Sequence, residues 1–376
     1  MAAIRQPTNE DIKLLINVKT DKPVKRRRLV TLFQAGFPLY ALDFSWRLDK
    51  PSRIAYTSII EGSSNIVGIN EVDEYTLGVR AIHTLNQPSI ATKIQWIPHS
   101  STHNKDMFAT SGDLLRIYEV NSDNRTELLA AMATPNEGIP GYAPVTSFDW
   151  SKRDPNFIVT ASINNFCSIW DIHKERCIME LFVPDAEIFD VKFHGDNQDQ
   201  IIVGASDGFL KRYDLRQKSF PEPLFRTEAL NPILRVCPSP TEKDIVGLVT
   251  INTNFVTVVD LCKPNSILTK IHPPQSNAQG IVFKDRLNQK PINTCDFSPL
   301  LPRVCAIGGE DASASMWNLD YEQKVNSGVQ CVFGMGVQLS FERVDVFDPV
   351  QNIKWSNVLK NLVAFTNGSN IHLVRL

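Results

Sequence analysis

Residues 144–171 read PVTSFDWSKRDPNFIVTASINNFCSIWD. Three short apolar runs stand in this stretch. The first, PVTSFDWS (Pro144 to Ser151), ends in a hydrophobic-x-aromatic triplet. The second, FIVTASI from Phe157, is built of small and β-branched residues. The third, FCSIWDI from Phe166, closes on Trp170-Asp171. Period-2 apolar runs of this length, punctuated by Asp, Asn and Pro, are the signature of β-strands joined by tight turns.

The same order recurs along the chain. Runs like the first are PLYALDFS (Pro38 to Ser45), IATKIQWI (Ile90 to Ile97), EIFDVKFH (Glu187 to His194), PILRVCPS (Pro232 to Ser239), PINTCDFS (Pro291 to Ser298) and PVQNIKWS (Pro349 to Ser356). The triplets end at Phe44, Trp96, Trp150, Phe193, Pro238, Phe297 and Trp355. Each copy is followed by a small-residue run and then by a run ending in an aromatic-polar pair. These pairs are clearest at Trp170-Asp171, Tyr213-Asp214 and Trp317-Asn318. A unit of about 40–45 residues with a tryptophan-aspartate signature is one blade of a propeller, four strands deep. Four of the spacings are longer and imply insertions, the largest being Asn121 to Tyr142, Pro273 to Lys290 and Asn326 to Asp348. Long loops on a rigid frame usually carry function or are disordered.

Fourth strands are expected at Tyr75 to Leu85, Glu127 to Ala133, Arg176 to Val183, Pro223 to Arg226 and Ile267 to Ile271, and near Val329 to Val346. The seventh unit stops after its third strand at Leu376. An unpaired sheet edge is a liability, so RRLVTLFQ (Arg27 to Gln34) is expected to pair beside Asn370 to Leu376 and close the ring. The fold class is therefore all-β: a seven-bladed WD-repeat β-propeller closed by an N-terminal strand. Residues 1–26 form a partly flexible N-terminal extension, where EDIKLLINV could make one short helix, and 27–376 form the propeller.

Composition is that of an ordinary globular chain. Of its 376 residues 43% are hydrophobic and 21% charged, and the formal net charge is -2. That balance argues against direct nucleic-acid binding, which needs a broad basic surface. The seven cysteines are odd in number and show no C-x-x-C spacing, as expected of reduced thiols in the nucleus or cytoplasm. No apolar signal segment or membrane span is apparent. The sequons at Asn124 and Asn367 matter only to a secreted chain.

Chemistry-bearing motifs are scarce. No G-x-S-x-G, P-loop or G-x-G-x-x-G signature is present. His99 and His103 have half the spacing of a zinc site but no cysteine partners. No catalytic, metal or cofactor residue is assigned, and no cofactor or membrane partner is expected.

Three stretches, TKIQWIP (Thr92 to Pro98), FATSGDLLRIY (Phe108 to Tyr118) and APVTSFDWSKRDPNFI (Ala143 to Ile158), carry a family resemblance. They resemble the WD-repeat group of the plant anthocyanin and trichome regulator transparent testa glabra and its animal relative, a cullin-4-associated WD-repeat factor. The similarity is sharpest over blades two and three and extends from about Phe37 to Leu376. It departs at Pro238, where other copies are aromatic, in blade four, which lacks the animal relative's long insertion, and in the late segments Pro273 to Gln289 and Ser327 to Asp348. The resemblance implies a non-enzymatic scaffold. Its implied partners are kinases of the dual-specificity tyrosine-regulated type, MYB or basic helix-loop-helix transcription factors and, for some members, the cullin-4 ligase through its WD-repeat-binding adaptor.

Two site assignments follow. Tyr213-Asp214-Leu215-Arg216 resembles the aromatic-Asp-x-Arg box by which cullin-4 substrate receptors engage that adaptor, and Tyr213, Asp214 and Arg216 are its candidate residues. Read without that likeness, Tyr213-Asp214 is the blade-four WD pair and Arg216 a solvated turn residue. Lys25, Arg26, Arg27 and Arg28 form a basic run suited to nuclear import, or to blunting the edge of the closing strand. The leading expectation is a scaffold in nucleus and cytoplasm. The alternatives are a cullin-4 substrate receptor and, with no recognisable constellation to support it, a hydrolase using the central channel.

Overall fold

The inner runs become strands because their side chains alternate between the two faces of a sheet, each packed on a neighbouring blade. They are Leu39–Phe44, Lys93–Trp96, Val145–Trp150, Ile188–His194, Ile233–Pro238, Ile292–Phe297 and Val350–Trp355. In the computed structural model each begins a four-stranded antiparallel sheet, and seven such sheets make a β-propeller. The structure describes residues 29–376 apart from 63, 100–104, 136–140, 185, 196, 218–220, 273–289, 320–336 and 340–347. The expected extension, the short helix within it and most of the two late insertions lie outside the described residues. A small two-stranded ladder, Thr134–Pro135 with Tyr142–Ala143, decorates blade three.

Fourth strands form at Val79–Gln87, Thr126–Met132, Arg176–Phe182, Glu222–Arg226, Ser266–Ile271 and Val337–Leu339. The first starts later than expected. Asp73 accepts the backbone N–H groups of Tyr75 (3.0 Å) and Thr76 (2.7 Å), and Leu77 sits at φ 56°, so residues 73–78 are a turn.

The small residues of the second strands are there for the next blade. A Cβ on Gly204 would lie 2.7 Å from Ile233 Cγ2, and one on Gly247 would lie 3.0 Å from the Phe297 ring. Both contacts belong to the following inner strand, which needs that space to approach. The core is a series of inter-blade clusters, with Phe44, Trp96, Phe108, Phe148, Trp150 and Phe365 almost fully buried.

Leu29–Gln34 closes the ring. It pairs antiparallel with Asn370–Arg375, from Leu29 opposite Arg375 to Gln34 opposite Asn370. Leu29 and Phe33 pack inward, Phe33 against Tyr56 of blade one at 5.9 Å between ring centroids, whereas Val30 and Leu32 face outward. The seam is tied by Leu39 N–H donating to Gly368 O (2.8 Å) and Thr366 Oγ1 donating to Tyr40 O (3.0 Å). Deleting residues 1–34 is expected to lower the melting temperature of the whole ring, and deleting residues 1–17 to leave it unchanged. Equal melting of both truncations and the full chain, followed by circular dichroism, would contradict this closure.

His372, in the last strand, is 5% exposed and stacks on Phe365 at 4.6 Å. Neither ring nitrogen has a hydrogen-bond partner, and burial pushes its pKa down to about 4. The unfolded chain, with an ordinary histidine near 6.5, takes up that proton first. Blade seven therefore loses stability as pH falls from about 6.5 toward 4, by at most roughly 3 kcal/mol. His372→Phe keeps the stack without the titration, and its melting temperature should drop less between pH 7 and pH 5 than the parent's. An identical drop would show that His372 is not the titrating group.

Candidate functional site

Blade four brings Tyr213, Asp214 and Arg216 to the corner between its third and fourth strands. Tyr213 is 4% exposed and packs in the cluster between blades three and four; burial pushes its phenol pKa up. The Asp214 carboxylate faces the turn. It accepts Arg216 N–H (3.0 Å), Arg216 Nε (3.0 Å) and Arg216 Nη2 (2.7 Å), and these bonds hold its pKa down to about 2.

An aspartate closing its own turn is a general device in this ring. Asp171 accepts Lys174 N–H (3.0 Å) in blade three, and Asp260 accepts Cys262 N–H (2.9 Å) in blade five. Among the described turns of this kind, blade four's carries an arginine bonded to the aspartate. The Arg216 side chain is 60% exposed and forks onto Asp214. The structure thus places Tyr213 in the core, Asp214 in the turn and Arg216 at the surface, on the face formed by the turns that link first to second and third to fourth strands. Lys25, Arg26, Arg27 and Arg28 lie outside the described residues, directly before the closing strand.

The axis holds polar residues that the repeat reading passed over. The x of the hydrophobic-x-aromatic triplet is aspartate at Asp43, Asp149 and Asp296. Each carboxylate accepts the backbone N–H of the next blade's aromatic: Trp96 (2.8 Å), Phe193 (3.0 Å) and Trp355 (2.9 Å). A charge-assisted bond of this kind contributes about 1.5–3 kcal/mol, less the cost of burying the carboxylate. In blade five the acceptor-seeking N–H is missing, because the position is Pro238. Blade four correspondingly carries Lys192 instead of aspartate, and Asp190 takes Val236 N–H (2.8 Å) one pair earlier.

Lysines balance these carboxylates. Lys192 meets Asp190 at 2.6 Å, Lys354 meets Asp296 at 3.0 Å and Lys93 stands 4.0 Å from Asp149. Burial raises Asp190's pKa, but Lys192 and Lys93 outweigh it and hold the group down to about 2. Asp43 has no side-chain cation within ion-pair distance among the described residues, and burial lifts it to about 7. Burial likewise pushes Lys93 down, helped by the charge of Lys192.

No group of three or more His, Cys, Asp or Glu among the described residues could hold a metal ion. His99 is exposed, and His103 lies outside the described residues. Cys167, Cys237, Cys295 and Cys305 are buried thiols, Cys177 is half-buried and Cys262 is exposed. Burial lifts the Cys167 thiol to about 12, which leaves it unreactive at neutral pH.

Residues 134–171, which hold the first three strands of blade three, match the family model described as WD domain, G-beta repeat. The chain is a seven-bladed β-propeller that carries a WD repeat over these residues. It is 25% identical to the DDB1- and CUL4-associated factor 7 homolog of Dictyostelium discoideum, over 94% of this chain and 100% of that protein. A WD repeat-containing protein of Saccharomyces cerevisiae is 23% identical over 77% of this chain, which spans 58% of that relative. The GATOR2 complex protein Wdr24 of Drosophila melanogaster is 27% identical over 58% of this chain and 26% of its own length. Among solved structures, Chaetomium thermophilum Raptor superposes with a TM-score of 0.69 at 13% identity, covering 92% of this chain and 28% of that one. That likeness is one of fold.

Proposed function

We propose that this propeller is a non-enzymatic scaffold that holds regulatory proteins together in nucleus and cytoplasm. The observation that carries the reading is the end-to-end likeness to the Dictyostelium DDB1- and CUL4-associated factor 7 homolog. The architecture supports it. A closed ring fixes seven blades rigidly, so several partners can dock without reshaping it, and holding them together raises their effective concentration. The partner classes follow from the family resemblance: kinases of the dual-specificity tyrosine-regulated type, and MYB or basic helix-loop-helix factors. The direct test is reconstitution. An immobilised kinase of that type should retain such a factor only when the purified chain is added, with the kinase's own turnover unchanged. Retention without the chain, or none with it, overturns the scaffold reading for these partners.

A second reading, a cullin-4 substrate receptor, is favoured by two observations: the relative's name and the exposed Arg216. An arginine offers a forked, charge-assisted contact to a partner surface. Asp214 is a poor probe because it closes its own turn. Arg216→Ala is expected to weaken binding of the cullin-4 adaptor roughly thirtyfold or more, as a central arginine anchor does, and to leave kinase or factor binding unchanged. Absence of adaptor binding by the parent chain in direct titration ends the receptor reading. Unchanged binding by Arg216→Ala removes the site assignment alone.

Nuclear entry is assigned to Lys25, Arg26, Arg27 and Arg28. Replacing all four with glutamine should reduce nuclear accumulation at an unchanged melting temperature. A folded variant distributed as the parent contradicts the assignment.

A further inference from the structure

The inner strands share a defect at one level. In six of the seven blades the pairing of first and second strands slips by a residue near the point where the chain enters the blade. The slipped positions include Tyr40, Thr146, Phe189, Leu234, Asn293 and Gln351. A β-bulge re-aims the side chain it carries, and on the innermost strand the only open space is the channel and its mouth. Six bulges at one level therefore make a collar around that mouth.

Part of the collar is spent on joining blades. Thr146 Oγ1 donates to Ile188 O (2.9 Å), and Asn293 Nδ2 donates to Val350 O (3.1 Å). Tyr40, Phe189 and Leu234 remain half-exposed, with no side-chain bond of this kind to a neighbouring blade. Arg235, one residue past the bulge of blade five, reaches across the mouth from there. Its Nε donates to Asn293 O (2.9 Å), and its Nη2 stands 3.5 Å from the Tyr40 hydroxyl of blade one, across the mouth.

Arg235 differs from the other cations of the axis. Lys93, Lys192 and Lys354 each have a carboxylate within 4.0 Å. Arg235 has none among the described residues, and most of its five N–H donors are uncommitted. A half-exposed guanidinium with spare donors, at a channel mouth whose rim also carries Tyr40, Phe189 and Leu234, suits a planar anion.

We propose that the collar of Tyr40, Phe189, Leu234 and Arg235 binds an aspartate or glutamate side chain presented by an extended segment of a partner protein. The carboxylate would fork onto Arg235, and the partner's flanking residues would cover Phe189 and Leu234. A single acidic side chain fits better than a phosphorylated one. A dianion wants a second cation, and the lysines below are already paired. The proposal rests on the scaffold reading and gives it a specific contact.

The test uses the purified full chain and a phage-displayed library of random dodecapeptides. Selected sequences should share an acidic position. In fluorescence polarisation with the corresponding synthetic peptide, replacing that acid by alanine, or Arg235 by alanine, should each weaken binding about tenfold or more. The two changes together should cost little more than either alone, as a direct contact requires. Arg235→Glu should prefer a lysine at the same peptide position. Arg235→Gln, which keeps donors to Asn293 O, serves if the alanine variant does not fold. Peptides without a shared acid, acid-dependent binding unaffected at Arg235, or binding that appears only when the position is made phosphoserine would each overturn the proposal. The kinase-bridging experiment is separate, so the collar can fail while the scaffold stands.

Discussion

A ring of sheets is stable only if its last sheet finds its last strand. That one antiparallel ladder, Leu29–Gln34 on Asn370–Arg375, joins the two ends of the described chain and closes the ring. Without it the last strand presents unpaired N–H and C=O groups, and blade one loses Phe33 from its packing against Tyr56. The other junctions connect neighbours in sequence and can form locally. This one spans the whole propeller, so its loop-closure entropy is met only when all seven blades are in place. Closure is thus the step that makes the ring cooperative.

Around the axis the same economy appears at smaller scale. An inner strand exposes its backbone to the channel and must satisfy it with little room. The aspartate before the terminal aromatic does this by reaching to the next blade's N–H, at Asp43, Asp149 and Asp296. Pro238 shows that the device is a matched pair. Where the acceptor would find no N–H, the preceding blade has Lys192 in the aspartate's place and Asp190 bonds one pair earlier. Blade five to blade six uses neither, and Cys237 Sγ donates to Cys295 O at 3.0 Å instead.

The blades were legible because a two-residue period and a repeating aromatic triplet are short-range signals. The seven inner strands fall within the quoted runs, and the closing strand follows from a missing partner. Boundaries set by turn chemistry were less visible: Asp73 holds a turn through residues 73–78 that an apolar reading extends into strand. Asp43, Asp149 and Asp296 stood in the sequence as a recurring x, but what they bond is the neighbouring blade, some fifty residues away, and only the ring brings the two together. The collar was invisible for the same reason. A bulge is a relation between two strands, and nothing in LYALDF alone marks Tyr40 as re-aimed. The surface assignments stand differently. Arg216 is set out in the open by its turn, but exposure alone does not name a partner.

These constraints divide the molecule into parts that are committed and parts that are free. Core side chains fill the wedges between blades, and axial carboxylates and lysines are largely paired with each other or with backbone. Any change at Asp149 or Lys354 therefore acts on ring geometry first. Freedom remains where a residue serves no junction. Among the described residues Arg216 bonds within its own turn, and Arg235 touches a carbonyl and, weakly, a hydroxyl while keeping donors in reserve. One lies on the face of the turns between first and second strands, the other at the opposite mouth of the channel. Two guanidinium groups on opposite faces of a rigid ring, Arg216 exposed though paired with Asp214 and Arg235 with donors to spare, would let two partners bind at once without touching.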